Sequence, residues 1–444
     1  MDLPSAINAL KASLGDEAVD CDARSCQIAS RDYFWLSPIL SQQLRDCPLA
    51  SAVVKPQNLL DLAKALSIAY QYEVPITPRG KGTGNYGQAV PVDGGIVFDL
   101  TAMNQVIEVE SDWITAETGC NFLQLEAATE SLDRELQIIP STTKSTLGGF
   151  IGGGAGGAGS VQYGFIWNDF VDSLEILPCV ENPEPFWVSG EECLNYLHAF
   201  GTTGIITKAK VRLRPRRNWT ALYFSFGADQ ISKAAAAAKA FTKLPIVPRL
   251  NTFDLPEAVA LLPKNAAMPA GRISLRPMVD KSTVDNCIQI VEQLGGRFEA
   301  EKPEDLENLH LLSYNHFTLR AKQKRPEICH LQLAGDAMVE KTEAILSLLP
   351  DSALHLECRL VDDKQSFGGL LVSRFVDRAT IANAIESLRS LGLQVVNVHS
   401  DKLGEGHLPK IENVIRTKAV NDPKNLLNRG RLPSETVVAT FPEE

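Results

Sequence analysis

A glycine-dense segment, Gly148 to Gly164 (GGFIGGGAGGAGSVQYG), constrains the fold of this chain more than any other feature. Nine of its seventeen residues are glycine. Glycine loses the most backbone entropy on folding, so this run predicts backbone that is not regular helix or strand and that takes positive φ or lies directly against a ligand. A flat or anionic ligand meets this requirement. A disordered linker is the alternative, but Phe150, Ile151 and Val161 within the segment favour burial.

Composition limits the classes of protein to which the chain can belong. With 444 residues it exceeds the size of one hydrophobic core, so two or three folded lobes are expected. A net charge of −11 and a pI near 5.3 argue against nucleic-acid binding, which relies on clustered Lys and Arg. No apolar window is long enough for a membrane span, and no secretory signal is evident. The scattered cysteines indicate reduced thiols, a cytoplasmic location and no metal site.

Strand and helix patterns alternate along the chain in two blocks. From residue 1 to 217, short strands, helices (ECLNYLHAFG among them) and glycine-rich connections predict one α+β lobe. From 218 to 400 a coarser alternation, with strands such as ALYFSF and helices such as ISKAAAAAKAFTKL, predicts a second α+β lobe of antiparallel strands with helices on one face. Residues 401–444 form a tail with a helix near Lys410 to Val420 and an apolar last strand, TVVATF.

A first glycine loop, GKGTGNYGQAVP, follows the predicted strand VPITPRG. Its residues Gly82, Gly84 and Gly87 satisfy GxGxxG, but the dinucleotide fingerprint requires a helix immediately afterwards, and the following Pro and Gly residues forbid one. What remains is a loop of successive backbone N–H groups that can wrap an anion, with Arg79 and Lys81 adding positive charge. A plain hairpin turn is the alternative.

The glycine-dense segment supplies a second such loop further along the chain. It repeats the GxGxxG spacing, which is weak as a signal on its own. Hydroxyl side chains run into it and place donors beside exposed backbone amides: Ser141, Thr142, Thr143, Ser145 and Thr146. A large ligand with both polar and flat parts suits two loops better than one.

Four segments together resemble the landmarks of a known family. They are PRGKGTGNYGQAVP, IIPSTTKSTLGGFIGGGAGGAGSVQYG, GTTGIITKAKVRLRP and DPKNLLNRGRL. In order and spacing they resemble the FAD-linked oxidoreductases of the vanillyl-alcohol oxidase / p-cresol methylhydroxylase (PCMH) family. Within that family the chain resembles the FAD-binding subunits of glycolate oxidase and the D-lactate dehydrogenases. The resemblance covers the first half of the chain and its C-terminal end, and the middle third only weakly.

The resemblance implies an α+β fold with a two-subdomain PCMH-type FAD-binding lobe and a ferredoxin-like α+β cap. The FAD-binding lobe would comprise residues 1–217 and the returning segment 401–444, and the cap residues 218–400. Glycines would allow close approach to the flavin, and amides would satisfy its oxygens. The residues that would bind FAD run from the pyrophosphate through the ribityl chain and flavin ring to the adenosine end and the C-terminal segment: Arg79, Gly80, Lys81, Gly82, Thr83, Gly84, Asn85, Gly87, Pro140, Ser141, Thr142, Thr146, Gly148, Gly149, Gly152, Gly153, Gly159, Ile205, Ile206 and Asn428.

Two departures from the family pattern concern the cofactor. Members that attach FAD covalently place a histidine in the first glycine loop, where this chain has GTGN from Gly82 to Asn85, and no cysteine stands in the second loop. Non-covalent FAD is therefore predicted. The closing tripeptide of the family is usually Asn-Pro-Gly, whereas this chain has NRG from Asn428 to Gly430.

The substrate side of the resemblance is less complete. The 2-hydroxy-acid dehydrogenases of this group carry GDGNxH-like and Glu-His-Gly segments, and neither is intact here. The nearest candidates for catalytic histidines are His399 in NVHSDK and His407 in GEGH, although a histidine in a loop is more often simply solvated. Asn315, His316 and Arg320 lie one helical turn apart and could reach a substrate. Arg320 would suit a carboxylate by bidentate pairing, and a partly exposed helix face is the alternative.

These features predict a flavoenzyme, a dehydrogenase or oxidase acting on CH–OH groups. It would take a hydride from a small 2-hydroxy acid, of the glycolate or D-lactate type, onto flavin N5. The electrons would leave to a partner subunit, a quinone or oxygen. The alternative is an FAD-binding subunit of a multi-subunit glycolate oxidase without its own complete substrate site. A non-enzymatic nucleotide-binding protein is disfavoured by the intact glycine loops.

Overall fold

The computed structural model describes residues 2–404 and 411–433. The N-terminal part of the chain forms a small sheet covered by helices. The elements of this part are α1 (Leu3–Leu14), β1 (Val19–Asp20), α2 (Ala23–Ala29), α3 (Pro38–Leu44), β2 (Ala52–Val54), α4 (Leu59–Gln71), β3 (Ile76–Arg79) and β4 (Ile96–Asp99). The strand order is β1-β2-β4-β3, with β2, β4 and β3 parallel. α4 begins where the Asn58 side chain accepts the N–H of Asp61 (3.0 Å), and its apolar face packs on the sheet. The described segment between β3 and β4 contains no helix, as predicted for the first glycine loop.

A second sheet is built around the long strand β10. Its elements are β5 (Val106–Val109), β6 (Trp113–Glu117), α5 (Phe122–Thr129), β7 (Arg134–Leu136), α6 (Leu147–Gly153), α7 (Ser160–Tyr163), β8 (Val171–Leu177), β9 (Phe186–Ser189) and β10 (Ile205–Pro215). The strand order is β5-β6-β10-β8-β9, with β7 paired to the end of β10. Alternate residues of β10 are buried, which places one face of the strand on the core: Ala209, Val211 and Leu213.

The third sheet belongs to the cap and is antiparallel. Its elements are β11 (Trp219–Phe226), α8 (Ile231–Phe241), β12 (Leu250–Asp254), α9 (Pro256–Val259), β13 (Ile273–Asp280), α10 (Val284–Gln293), β14 (Arg297–Glu301), α11 (Leu306–Leu311), α12 (Asn315–Lys324), β15 (Ile328–Ala334), α13 (Ala337–Glu340), α14 (Thr342–Leu346), β16 (Ala353–Val361), β17 (Lys364–Arg374), α15 (Arg378–Ser390) and β18 (Gln394–Val396). The strand order is β14-β11-β13-β12-β16-β17-β15-β18.

The two faces of the cap sheet have different partners. On one face, α8, α10, α13, α14 and α15 pack against apolar strand residues such as Leu354 and Leu356. On the other face, Tyr223 and Leu370 join the core of the second sheet, together with Leu309 of α11 and Phe317 of α12. The mixed α+β fold is therefore as predicted, and α11 and α12 lie between the cap sheet and the first lobe.

After the cap, the chain returns to the first sheet. α16 (Ile411–Asn421) precedes a segment that pairs with β3. Ile76 donates its N–H to Leu426 O (2.8 Å), and Asn428 donates its N–H to Ile76 O (2.7 Å). The predicted strand TVVATF lies outside the described residues. The boundaries at residues 217 and 400 stay predictions, and the change from the second to the third sheet occurs between β10 and β11.

The glycine-dense segment is more regular than predicted, because its first part is the helix α6. Thr146 caps this helix by accepting the N–H of Gly149 (3.2 Å), and the apolar residues of the helix are buried. Positive φ values occur only later in the segment, at Gly159 and Gly164. Capping and apolar burial here outweigh the low helix propensity of glycine.

The predicted helix ECLNYLHAFG is not a helix over its whole length. It begins with a 3₁₀ turn, Gly190–Asn195, and then His198 and Phe200 adopt positive φ values of 52° and 54°. Both residues donate their N–H groups to carbonyls at the end of α6, those of Ile151 and Gly152 (2.8 Å each). These tertiary hydrogen bonds override the local apolar pattern.

The sequence pattern did not identify the cap strands β12, β14 and β16. It also predicted one helix where the structure has α13 and α14. In β16, apolar residues alternate with His355, Glu357 and Arg359, and these three side chains lie on the face opposite α8, α10, α13, α14 and α15. Burial of charged residues in a central strand is what conceals it from a hydrophobicity pattern.

Candidate functional site

A cavity of about 530 Å³ lies where the two glycine loops meet the cap, and we call it the central cavity. Most residues that the resemblance assigns to FAD line it: Arg79, Gly80, Lys81, Gly82, Thr83, Gly84, Asn85, Pro140, Ser141, Thr142, Thr146, Gly148, Gly149, Gly152, Gly153, Ile205 and Ile206. Cap residues from α12, β15, β16, β17 and β18 complete the wall. The structure therefore brings the two predicted loops to one site, with the cap over it.

The two glycine loops touch each other. Gly80 lies so close to Thr146 that a Cβ at Gly80 would overlap the Thr146 hydroxyl. Gln88, just after the first loop, donates a hydrogen bond from Nε2 to the carbonyl of Gly153 (3.4 Å). The loops thus form one continuous wall, as expected for loops that share one ligand.

Part of this wall carries groups that are open to a ligand. A Cβ at Gly152 would meet no atom within 4 Å, so this part of α6 faces open space in the cavity. Ser145 is buried, lines the cavity, and its hydroxyl finds no partner among the described residues. A buried hydroxyl without a partner is costly unless a ligand satisfies it.

Three of the predicted FAD residues do not line the central cavity: Gly87, Gly159 and Asn428. A Cβ at Gly159 would overlap the Gln137 carbonyl, and φ at Gly159 is +103°. Asn428 donates from Nδ2 to the carbonyls of Gln88 (2.8 Å) and Phe200 (2.7 Å). Gly159 and Asn428 therefore hold the surrounding backbone in place.

His316 lies on the cavity wall, on α12 of the cap. Its Nδ1 is 2.9 Å from the hydroxyl of Ser141 in the second loop. Burial, and then the positive charge of Arg320, lower the pKa of His316 below its usual value of 6.5. The ring is therefore neutral near pH 7.

The other predicted candidates for catalysis lie elsewhere. Arg320 does not line the central cavity, and its guanidinium donates to Gln323 Oε1 (3.4 Å). His399 is buried beside α3, with Nδ1 2.7 Å from the Ser37 hydroxyl, and it lines a separate cavity between α3 and α15. Burial, and then the charge of Lys322, lower its pKa to about 4. His407 lies outside the described residues.

A second histidine on the cavity wall, His198, was not identified from the sequence. Its Nδ1 is 2.8 Å from the carbonyl of Gly154, and burial lowers its pKa. The positive φ at His198 directs the chain back to the end of α6. Only the tertiary contact reveals this residue, because the local sequence predicted a helix.

Arg359 of β16 is a cavity-wall cation that sequence reasoning also missed. Its Nε and Nη2 donate to Glu357 Oε2 (3.1 and 2.7 Å), and its guanidinium lies 5.9 Å from the centre of the Phe165 ring. Its Nη1 finds no hydrogen-bond acceptor in the described part of the chain. The alternation of charged and apolar residues in HLECRL could have indicated a strand with its charged side chains on one face.

A polar cluster joins the cap to the first glycine loop. Gln332 donates from Nε2 to the Tyr86 hydroxyl (2.7 Å) and to Asn315 Oδ1 (3.1 Å). Asn315 in turn donates to the Tyr86 hydroxyl (3.3 Å). Burial raises the pKa of Tyr86, so its hydroxyl keeps its proton at neutral pH. This cluster holds the cap over the cavity.

Comparison with known proteins identifies the ligand of the two loops. Residues 50–179, which contain both loops, match the family model described as FAD binding domain. Residues 50–179 are an FAD binding domain of the PCMH type. The resemblance to FAD-linked oxidoreductases is thereby confirmed for this part of the chain, and FAD is its cofactor.

Two curated relatives are similar to parts of the chain. The glycolate oxidase subunit GlcD of Bacillus subtilis (strain 168) is 30% identical over 230 residues, which are 48% of this chain and 47% of that protein. The D-lactate dehydrogenase of Archaeoglobus fulgidus is 33% identical over 184 residues, 39% of this chain and 41% of the relative. The matches span less than half of the length of these relatives.

Solved structures extend the similarity of the fold to almost the whole chain. A structure of alkyldihydroxyacetonephosphate synthase superimposes with a TM-score of 0.77, covering 97% of this chain and 85% of the other. The sequence identity is 15%, so this similarity concerns the fold alone. It includes the cap, which the family model does not reach.

The residues around the central cavity fit FAD. The open space at Gly152 admits a planar ring, the unpartnered Ser145 hydroxyl can bond a cofactor oxygen, and Lys81 supplies positive charge for phosphate. Within residues 2–404 and 411–433, no group of three or more His, Cys, Asp or Glu side chains is placed to hold a metal ion. In the same residues no helix has both the length and the apolar character needed to cross a membrane.

Proposed function

We propose that this protein is an FAD-dependent dehydrogenase or oxidase that takes a hydride from the CH–OH group of a small 2-hydroxy acid, of the glycolate or D-lactate type. The observation that carries the proposal is Arg359, a guanidinium on the cavity wall with an Nη1 that has no acceptor among the described residues. A guanidinium binds carboxylates through directed, charge-assisted hydrogen bonds. The similarity to a glycolate oxidase subunit and to a D-lactate dehydrogenase supports this substrate class.

In the proposed reaction, the hydroxy acid loses its hydroxyl proton and the hydride of its C2–H bond and becomes the 2-oxo acid. Bound FAD supplies the acceptor for the hydride. Arg359 holds the substrate carboxylate. His316 accepts the hydroxyl proton at Nε2, since its Nδ1 is bonded to Ser141 and its lowered pKa keeps the ring neutral.

We propose that FAD is held non-covalently. The first loop has no histidine between Gly82 and Asn85, and no cysteine of the described part of the chain lines the central cavity. The loops offer backbone amides, hydroxyls and the charge of Lys81, which are sufficient to hold a dinucleotide without a covalent bond.

A second candidate function is an FAD-binding subunit of a multi-subunit glycolate oxidase that lacks a complete substrate site of its own. The observation that favours it is the position of His399, which is bonded to Ser37 and lies away from the central cavity. The similarity to a protein named as a glycolate oxidase subunit supports it as well. In either case the electrons pass on to a partner subunit, a quinone or oxygen. A cytoplasmic location stays a prediction.

The first test is the visible spectrum of the purified protein before and after acid precipitation. Flavin released into the acid supernatant is the expected result, and flavin that stays with the precipitate contradicts non-covalent attachment. Anaerobic addition of glycolate or D-lactate should then bleach the flavin band. A flavin that never bleaches with 2-hydroxy acids contradicts the dehydrogenase and favours the subunit.

The substrate role of Arg359 is tested by a matched pair of variants, Arg359→Gln and Arg320→Gln. Each removes one guanidinium from the cap, but only Arg359 lines the central cavity. At pH 7.5 we expect Arg359→Gln to raise KM for the hydroxy acid on the order of 100-fold, because a charge-assisted hydrogen bond to the carboxylate is lost. The KM of Arg320→Gln should stay close to that of the wild type. The reverse ranking would assign the carboxylate to Arg320.

A further inference from the structure

A line of alternating charges runs from the central cavity into the interior of the cap. Arg359 pairs with Glu357 (2.7 Å), and Nε2 of His355 lies 3.2 Å from the same carboxylate. On the other side of the ring, Nδ1 of His355 lies 2.8 Å from Asp254, which pairs with Arg276. We call these five residues the cap ion chain. The side chains of Arg276, Asp254 and His355 are completely buried. That of Glu357 is almost completely buried, and that of Arg359 is partly exposed at the cavity.

The strand geometry of the cap explains how five charged residues form one line. His355, Glu357 and Arg359 alternate along β16, so they share the face opposite α8, α10, α13, α14 and α15, which is the face that α12 covers. Asp254 of β12 is the direct cross-strand partner of His355, and β13 with Arg276 is the next strand. The cap ion chain therefore crosses three neighbouring strands on one face of the sheet.

The histidine in the middle of the line carries a positive charge. Both of its ring nitrogens face carboxylates, and only the doubly protonated ring donates to both. Burial lowers the pKa of His355, but attraction and hydrogen bonding to Asp254 and Glu357 outweigh burial and raise it to about 8. Burial raises the pKa values of the two carboxyls, but their cationic neighbours outweigh it and lower both.

The remaining surroundings of His355 are neutral. Its ring stacks on Phe317 of α12, with centroids 4.7 Å apart. Tyr314, at the start of the same helix, donates its N–H to Glu357 Oε1 (2.8 Å), and Met268 contacts Arg276 through its sulfur. Among the described residues, Asp254 and Glu357 are thus the charged groups that touch the imidazole.

The protonation of His355 sets the net charge of the line. With the proton, three cations face two carboxylates, so the net charge is +1. Without it, two cations face two carboxylates, and the net charge is zero. The interior of the cap screens charges poorly, so this difference extends to the cavity.

We propose that His355 is a positioning residue for the substrate carboxylate: in its protonated form it anchors Glu357, and Glu357 in turn orients the guanidinium of Arg359 toward the cavity. This inference rests on the proposed function, in which Arg359 binds a carboxylate. When His355 loses its proton, Glu357 is left with Arg359 as its cationic partner and draws on that guanidinium more strongly. Affinity for a carboxylate therefore falls as the pH rises through about 8, while the chemical step is unaffected.

The experiment measures binding of oxalate to the FAD-loaded protein from pH 6 to pH 9.5, followed by the change in the visible flavin spectrum. Oxalate carries carboxylates but has no C–H bond to oxidise, and its charge is constant over this range. For the wild type we expect its Kd to rise on the order of tenfold between pH 7 and pH 9. Steady-state kinetics should show the same trend in KM and not in kcat.

The variant that tests the inference is His355→Gln. It should bind oxalate on the order of tenfold more weakly than wild type at pH 7 and show a flat pH profile. His399→Asn serves as a control, because His399 lies outside the central cavity and its pKa of about 4 means that it does not titrate above pH 8, so this variant should keep the alkaline rise in Kd. If His355→Gln keeps the alkaline rise in Kd, the inference is wrong.

The outcomes separate this inference from the proposed function. A wild-type protein that neither binds oxalate nor oxidises hydroxy acids contradicts the proposed function, and the inference with it. Normal oxalate binding with a flat wild-type profile contradicts the inference alone.

If the His355→Gln protein does not fold, the protonation of His355 can be measured directly in the wild type. NMR of ¹⁵N-histidine-labelled wild type follows the titration of its seven histidines, and Glu357→Gln identifies the ring whose titration moves. We expect one imidazole to titrate above pH 7 and to shift to lower pH in the Glu357→Gln variant. If no ring titrates above pH 7, His355 is neutral and the inference is wrong.

Discussion

His316 combines three properties of a base that works near neutral pH. It lines the central cavity, its Nδ1 is held by Ser141, and burial together with Arg320 keeps its ring neutral. A hydrogen bond to one ring nitrogen fixes the ring and leaves the other nitrogen for a substrate proton. These properties come from the second loop and α12 together, so neither segment has them alone.

Replacement of His316 should affect proton removal more than substrate binding. We expect His316→Asn to lower kcat for a 2-hydroxy acid by about 10²- to 10⁴-fold with little change in KM. In the wild type the rate should fall as the pH drops through the lowered pKa of His316, below 6.5, and this acid limb should vanish in the variant.

Arg320→Gln provides a second check on the same residue. The Arg320 charge lowers the pKa of His316, so its removal should move the acid limb toward higher pH. An acid limb that stays in place in both variants would show that another group accepts the proton. The measurement is the pH dependence of kcat.

At the scale of elements, α6 shows how one helix can both support and expose a ligand site. Its buried apolar residues anchor it in the core of the second sheet. Its other face presents Gly149, Gly152 and Gly153 to the central cavity. Glycine at these positions lowers helix stability. The absence of a Cβ, however, lets the backbone approach a flat ligand closely.

A pair of glycine variants separates ligand contact from backbone support. A Cβ at Gly152 would enter open cavity space, so Gly152→Ala should leave the apoprotein as stable as wild type, or up to about 1 kcal/mol more stable. Its affinity for FAD should fall on the order of tenfold, because the methyl group occupies ligand space. Urea unfolding of the apoprotein and FAD titration measure the two effects.

Gly159→Ala is the matched contrast. Here the added methyl group would overlap the Gln137 carbonyl at a φ of +103°, so we expect a loss of about 1–3 kcal/mol in the free energy of unfolding. Equal losses of stability in both variants would contradict the assignment of Gly152 to the ligand surface.

At the scale of the whole molecule, the C-terminal segment ties the cap connection to the first glycine loop. Arg431 is completely buried and donates to the carbonyls of Gly87 and Val90 (2.6 Å each). It also pairs with Asp401, in the stretch that follows the cap (2.6 Å). One side chain of the C-terminal segment therefore satisfies acceptors from two distant parts of the chain.

Removal of this side chain should destabilise the whole fold. We expect Arg431→Gln to lower the free energy of unfolding by about 3–5 kcal/mol, because it leaves two carbonyls without their donor and takes the shorter of its two cationic partners from the partly buried Asp401. FAD affinity should fall too, since the loop around Gly87 loses its support. Arg429→Gln is the control: this partly exposed neighbour pairs weakly with Asp93 (3.8 Å), so its loss should cost less than 1 kcal/mol. Comparable losses in both variants would contradict a special role for Arg431.

The cofactor side of the site was predictable because it depends on local sequence. The glycines and hydroxyls that line the central cavity on this side lie in two contiguous loops, and each loop is recognisable from its own sequence. The substrate side depends on residues from separate strands and helices. Arg320 was chosen for its type and spacing, yet Arg359, in a strand that the pattern did not identify, reaches the cavity. His399 was likewise predicted from its sequence neighbourhood, but it lines a separate cavity. His198 was not predicted, although it lines the central cavity.

By itself, the sequence determined the α+β fold and the two glycine loops, and FAD followed from the resemblance of these loops to a known family. The fold class and the loops follow from the backbone requirements of glycine and from short-range patterns of apolar residues, both of which depend on consecutive residues. Only the tertiary structure decided which charged side chains face the cavity and which of them carry a proton. Those properties arise from burial and from neighbours on other strands, as in the pairing of His355 with Asp254, and no local pattern encodes them.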